Sequence, residues 1–191
     1  MKSCFELPEG YTPLLTVDLQ KDKKLAVLVN VLAIVIAVIV MVPAMLWGPP
    51  IYTAFAFDST GTLLAKMAVL LGGMVVYMVL HELVHGVFIR YYSGRRAKYG
   101  FTGMYAFAGS DAYFAKKPYI VIALAPIVVW GVVLAVVNIL APAGWFWIVY
   151  SIQIINLSGA AGDLYVTVRF RGLPDSVLVR DAGTSMTVYG R

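Results

Sequence analysis

The stretch LLAKMAVLLGGMVVYMVLHELVHGVFI, residues 63–89, decides the fold class, because it is an apolar run of membrane-crossing length. It also contains two histidines and a glutamate. About 20 helical residues cross the roughly 30 Å hydrocarbon core of a bilayer. Three more runs reach this length: Leu25 to Leu46, Tyr119 to Leu140 and Trp145 to Val168. The sequence therefore predicts an all-α membrane protein with four transmembrane helices.

The composition also favours a lipid bilayer as the surrounding solvent. Of the 191 residues, 61% are hydrophobic and 13% are charged, and the mean hydropathy is +0.83. The net charge of +5 comes from basic residues beside the apolar runs, a pattern that argues against nucleic acid as a partner. The single cysteine, Cys4, excludes an internal disulfide.

The basic residues predict the topology. They precede the first apolar run, separate the second from the third and follow the fourth, whereas loops 47–62 and 141–144 contain no Lys or Arg. Positive residues stay on the cytoplasmic side. We therefore expect a multi-pass protein of the cell membrane with a cytoplasmic N-terminal tail (1–24), a four-helix domain (25–169) and a cytoplasmic C-terminal tail (170–191).

Two short segments have the pattern of strands. Segment 97–115, between the second and third helices, is rich in glycine and aromatics, and Tyr105 and Phe107 alternate with alanines. It predicts one or two short strands or a re-entrant hairpin. In the polar tail, 176–180 and 184–189 contain β-branched residues in alternation, which predicts a small hairpin.

The motif His81-Glu82-Leu83-Val84-His85 predicts a metal site. Residues four apart on a helix share one face, and two imidazoles there can bind one Zn²⁺. Glu82 lies next to that face, where its carboxylate is placed to act as a general base toward water. Simple interhelical hydrogen bonding by the histidines is the alternative.

A catalytic zinc usually has three protein ligands, and the chain has no third histidine. Asp163 is the preferred candidate, because it should lie at about the same depth below the cytoplasmic membrane surface as Glu82. It precedes Arg169 by about 9 Å of helix, and Glu82 precedes Arg90 by about 12 Å, on helices that run the same way. An ion pair of Asp163 with Arg169 or Arg171 is the alternative, and Asp111 and Cys4 are the other possible third ligands.

Asn156 lies two helical turns before Asp163 on roughly the same face. It is a candidate to bind the substrate backbone, and interhelical hydrogen bonding is the competing interpretation.

The order of these motifs resembles a known group. It is similar to a small prokaryotic family of membrane zincin peptidases, long labelled a domain of unknown function, and more distantly to site-two intramembrane proteases. The resemblance rests on a helix with HELVHG, a glycine- and aromatic-rich loop, a Leu-Ala-Pro motif at 124–126, Asn156, and Gly162-Asp163.

The resemblance implies that His81, His85 and Asp163 bind zinc, that Glu82 is the catalytic base and that membrane-embedded helices are cleaved. The chain departs from the site-two pattern, in which Asn-x-x-Pro is followed by Leu-Asp-Gly. Here the corresponding residues are Asn156-Leu157-Ser158-Gly159 and Gly162-Asp163-Leu164.

The leading hypothesis is thus a zinc endopeptidase that cleaves a peptide bond in or near a transmembrane segment of a substrate protein. One alternative is a catalytically silent metal-binding membrane protein that acts as a scaffold or binds partners. A metal or ion carrier is a third, disfavoured because the first and third apolar runs contain few polar groups, Asn30 and Asn138 near their ends.

Overall fold

The computed structural model describes residues 2–56, 59–103 and 105–191. Met1, Phe57, Asp58 and Met104 lie outside the described residues, so the predicted tail, loop and hairpin that contain them are described in part. The chain divides into two compact units. We call Met1–Val29, His81–Pro126 and Gly162–Arg191 the sheet unit, and Asn30–Leu80 and Ile127–Ala161 the helical unit.

Among the described residues, three helices are long and apolar enough to cross a membrane: α1 (Lys23–Trp47), α2 (Thr60–Ser93) and α3 (Lys116–Leu140). None of the most apolar stretch of α1 is buried within the protein. Exposed valine, isoleucine and leucine side chains along such a helix are favourable in lipid, because the surrounding hydrocarbon chains are also apolar. The chain is therefore a membrane protein, as its composition predicted.

Local sequence sets where these helices begin and end. The Asp22 carboxylate accepts a hydrogen bond from the Leu25 amide at 3.0 Å and so caps the start of α1. The Ser59 hydroxyl accepts from the Thr62 amide at 3.2 Å at the start of α2. After Trp47 the chain continues with Gly48-Pro49-Pro50, which cannot extend a helix.

The fourth predicted span is interrupted. It consists of α4 (Phe146–Gly159) and α5 (Ala161–Arg169), separated at Ala160. The 14 residues of α4 rise about 21 Å, short of the bilayer core. Gly159 and Gly162 lower the helix propensity of this segment, and the break places Asp163 in the first turn of α5. A fourth membrane crossing stays a prediction.

The prediction of an all-α fold is corrected by two sheets. The strands are β1 (Ser3–Cys4), β2 (Thr12–Val17), β3 (Lys98–Phe101), β4 (Ala106–Gly109), β5 (Tyr113–Ala115), β6 (Leu178–Asp181) and β7 (Met186–Gly190). Five form an antiparallel sheet in the order β1-β5-β6-β7-β2, and β3 and β4 form a second sheet of two strands among the described residues. The two predicted hairpins are confirmed as β3–β4 and β6–β7. Both predicted tails supply strands to the larger sheet.

A compact apolar core lies within the sheet unit. Its largest fully buried side chains are Phe114, Phe170, Val177, Val179 and Val188. Along β7, buried and half-buried positions alternate, which is the period of two expected for a strand with one face on a core. Burial of large apolar side chains of this kind stabilises a sheet by about 1.5–3 kcal/mol for each residue.

A buried lysine organises one end of the helical unit. Lys66 is only 4% exposed, and its ammonium donates to the carbonyls of Thr53, Ala54 and Ala56 at 3.3, 3.4 and 2.7 Å. Three donors thus match three acceptors in and just after the turn Ile51–Ala54. Lys66 lies within the second apolar run, and the sequence alone does not indicate this contact.

Gly183, in the turn between β6 and β7, provides a test of this packing. Its φ is +90°, and a β-carbon there would overlap the Phe107 ring of β4. Gly10 has a similar φ of +81° with open space around it. We expect Gly10→Ala to cost about 1–2 kcal/mol through backbone strain alone. Gly183→Ala should cost about 1–3 kcal/mol more because of the overlap.

Thermal unfolding of both variants in detergent measures the difference. A melting temperature lowered equally by the two substitutions would contradict the contact between the β6–β7 turn and β4.

Candidate metal centre

Three predicted ligands converge within the sheet unit. His81 and His85 lie one turn apart on α2, with ring centroids 4.9 Å apart. The Oδ2 atom of Asp163, from the first turn of α5, is 3.7 Å from Nε2 of each histidine. Both histidines are 9% exposed. One nitrogen or oxygen atom from each of the three residues therefore faces a common point, and these atoms lie within 4.8 Å of one another.

A hydrogen bond determines the tautomer of His85, and so which ring nitrogen is free of a proton and can bind a metal. Its Nδ1 atom is 2.9 Å from the carbonyl oxygen of Ile122, on α3. A carbonyl oxygen only accepts, so Nδ1 carries the proton and donates. In the neutral ring Nε2 then holds a lone pair, directed toward Asp163.

These groups fit a divalent cation. Nε2 of His85 and Oδ2 of Asp163 are both acceptors, and 3.7 Å is too long for a hydrogen bond. Nε2 of His81 is equally far from the same oxygen, so one proton cannot serve both contacts, whereas one metal ion can. Tetrahedral ligands at 2.0–2.1 Å from zinc lie about 3.4 Å apart. Two nitrogens and a carboxylate are also a donor set that zinc accepts.

The alternative third ligands lie elsewhere. Asp111 pairs with Lys98 at 2.5 Å and with Arg180 at 3.6 Å, and the Lys98 hydrogen bond lowers the pKa of its carboxyl. Cys4 lies in β1, opposite Tyr113, and burial raises the pKa of its thiol. Within the part of the chain that the structure describes, the ionisable partners of Asp163 are the two histidines, not an arginine.

Glu82 lies between the metal cluster and a strand. Its half-buried carboxylate interacts with the backbone amide of Ala108, in β4. The β3–β4 hairpin is held against α2 at Gly86, where a β-carbon would overlap the Tyr99 hydroxyl. The glycine that follows His85 is thus needed for this close approach. The sequence predicted the hairpin but not its contact with Glu82.

Tyr119 and Asp181 form a buried pair that sequence reasoning missed. The Tyr119 hydroxyl donates to the Asp181 carboxylate, which also accepts from the Gly183 amide at 2.8 Å. Burial raises the pKa of Asp181, against the lowering effect of these hydrogen bonds, and the charges of His85 and Asp163 act on it as well. A lone aspartate in a polar tail carries no sequence signal for this environment.

Asn156, the predicted substrate-binding residue, lies in the helical unit and is fully buried. Its Oδ1 accepts from the Tyr77 hydroxyl at 3.0 Å, and its Nδ2 donates to the Ile127 carbonyl at 3.3 Å. These bonds link α4 to α2 and α3, as in the interhelical interpretation. Substrate binding by Asn156 stays a prediction.

Comparison with known proteins places this arrangement in a family. Residues 74–178, more than half of the chain, match the family described as "Putative zincin peptidase". The chain belongs to this family. Membership indicates a metallopeptidase with a metal, expected to be zinc, and the matched range contains His81, Glu82, His85 and Asp163. No curated protein and no solved structure matches the chain.

Replacing Asp163 by alanine tests the proposed ligand set. Removal of one of three ligands should lower zinc affinity by more than the roughly 10- to 100-fold typical for loss of an outer-shell partner. Zinc content is measured by elemental analysis of the purified protein after dialysis. Asp111→Ala is the matched control, because it removes the alternative carboxylate, and it should leave the zinc content unchanged. Near-stoichiometric zinc in the Asp163 variant would refute the assignment.

Proposed function

We propose that this chain is a membrane-embedded zinc endopeptidase that hydrolyses a peptide bond within or near a transmembrane segment of a substrate protein. One observation carries the proposal: a helix of membrane-crossing length holds two of three converging metal-ligand side chains, with a glutamate between them. Ionisable groups in such a helix are costly and are usually functional.

The residues have distinct roles in this proposal. His81, His85 and Asp163 would hold the ion, and Nδ1 of His85 stays bonded to the Ile122 carbonyl. When bound, zinc supplies positive charge that polarises the scissile carbonyl and makes water acidic enough to react near neutral pH. Glu82 accepts the proton of the attacking water and delivers it to the leaving amine.

Strand β4 supplies a place for the substrate. An intact helix shields its own peptide bonds, so a transmembrane substrate must become extended before it is cleaved. The two-stranded sheet contains only β3 and β4 among the described residues, and Ala108 of β4 interacts with Glu82. An extended peptide can add to such an edge through main-chain hydrogen bonds, next to the base. Tyr99 and Phe101, both more than half exposed, offer apolar contacts.

The proposal includes a topology. We infer that α1, α2 and α3 span the cell membrane, that α4 with α5 forms a fourth crossing, and that both termini are cytoplasmic. The basic residues between α2 and α3 and after α5 support this orientation. Such a protein takes a membrane-protein or peptide substrate from within the bilayer.

Cysteine labelling on sealed vesicles of known orientation tests the topology. In a Cys4→Ser background, Tyr52→Cys and Ser176→Cys place single thiols at exposed positions of opposite loops. An impermeant maleimide should reach position 52 from the outer side and position 176 only from the cytoplasmic side. Labelling of both positions from one side would exclude the proposed arrangement.

Glu82→Gln separates a protease from a catalytically silent metal-binding scaffold. The amide keeps the size of the side chain but cannot accept the proton, so cleavage should fall by about 10²- to 10⁴-fold while zinc binding is retained. The assay uses a quenched fluorescent transmembrane peptide with the purified protein in detergent micelles, and mass spectrometry identifies the products.

Glu9→Gln is the matched control, because Glu9 is exposed in the N-terminal segment. It should cleave at the wild-type rate. Undiminished cleavage by the Glu82 variant would count against its role as the base. Zinc binding without cleavage of any peptide by the wild-type protein would favour the scaffold.

A further inference from the structure

A proline lies in the interior of α3, one turn beyond the residue that bonds His85. Pro126 is inside the helix and its side chain is fully buried. In an α-helix the amide of each residue donates to the carbonyl four residues earlier. Proline has no amide hydrogen, so position 126 provides no donor for the carbonyl of Ile122.

This carbonyl needs a partner from another element. Ile122 is 3% exposed, and Ala123 and Ala125 beside it are also buried, so bulk water has little access. An unpaired backbone carbonyl in such surroundings costs free energy comparable to a lost hydrogen bond, and more in a membrane. Nδ1 of His85, at 2.9 Å, supplies the missing donor.

We propose that Pro126 is a positioning residue of the metal centre. Because Pro126 has no amide hydrogen, the Ile122 carbonyl stays available to accept a hydrogen bond from Nδ1 of His85. The bond formed in this way holds the His85 ring in one orientation and directs the Nε2 lone pair toward Asp163. Outer-shell bonds of this kind commonly fix the tautomer and orientation of metal-binding histidines. The inference rests on the proposed zinc site, whose ligands it positions.

Two other prolines in these helices, Pro118 and Pro43, occupy positions with different surroundings from those of Pro126. Pro118 occupies the first turn of α3, where amides have no intrahelical partner and a proline displaces no bond. Pro43 lies inside α1, and the residue four positions earlier, Ile39, is 64% exposed. Pro43 therefore removes the same backbone donor from an apolar helix without a histidine at the freed carbonyl, which makes it a matched control.

Pro126→Ala restores the amide hydrogen, which then competes with His85 for the Ile122 carbonyl. We expect zinc affinity to fall by about 10- to 100-fold, measured on the full chain in detergent by competition with a chromophoric zinc chelator. Pro43→Ala should leave the affinity unchanged. Unchanged affinity in the Pro126 variant, or an equal loss in both variants, would overturn the proposal.

Nuclear magnetic resonance of the histidine rings gives a readout that a merely structural proline would not move. The chain has 2 histidines, so ¹⁵N-histidine labelling gives a simple spectrum. In the zinc-loaded wild type, His85 should bind metal through Nε2 and show an Nδ1 proton that exchanges slowly with solvent. In Pro126→Ala that proton should exchange faster.

Metal bound through Nδ1 in the wild type would overturn the proposal even if the variant does not fold. A loss of zinc affinity with the Nδ1 proton still protected would assign Pro126 a general packing role and also overturn it. The Asp163 and Asp111 variants test the zinc site itself. Failure of the positioning role is therefore distinguishable from failure of the site.

Discussion

The arrangement of the sheet unit depends on one constraint: two buried imidazoles and a partly buried carboxylate face one common point. A cation at this point would neutralise the negative charge of Asp163, which is costly to bury in an apolar environment. Contacts outside the cluster hold His85 and Asp163 in position. Ile122 fixes His85, and the start of α5 holds Asp163 in a helical first turn, where a negative charge is stabilised by the helix dipole.

Much of this centre could be predicted from sequence because its signals are local. The spacing of His81 and His85 places them on one helical face whatever surrounds them. Asp163 was found by a depth argument that needs only the helical rise and the adjacent basic residues. The structure brings these three residues together. The interruption at Ala160 was not predicted, although the run Gly-Ala-Ala-Gly at 159–162 was its signal.

The sheets were harder to predict because their pairings join residues far apart in sequence. Segment 12–17 (TPLLTV) has no clear alternation, and its partner β7 lies at the other end of the chain. Asp181 was missed for the same reason: its burial follows from contact with Tyr119, on α3. Pro126 did leave a visible trace, as a proline within an apolar run, but its consequence requires knowing that His85 lies beside Ile122.

The pairing of β2 with β7 also determines when the protein can mature. Thr16 and Thr187 contact each other across a sequence separation of 171 residues, so the larger sheet cannot close until β7 has left the ribosome. By then α1 to α3 have already been synthesised. Asp163 also follows α1 to α3 in the chain, so the three candidate ligands cannot meet before the start of α5 has been synthesised. A nascent chain that contains only α1 to α3 therefore lacks one of the three candidate metal ligands.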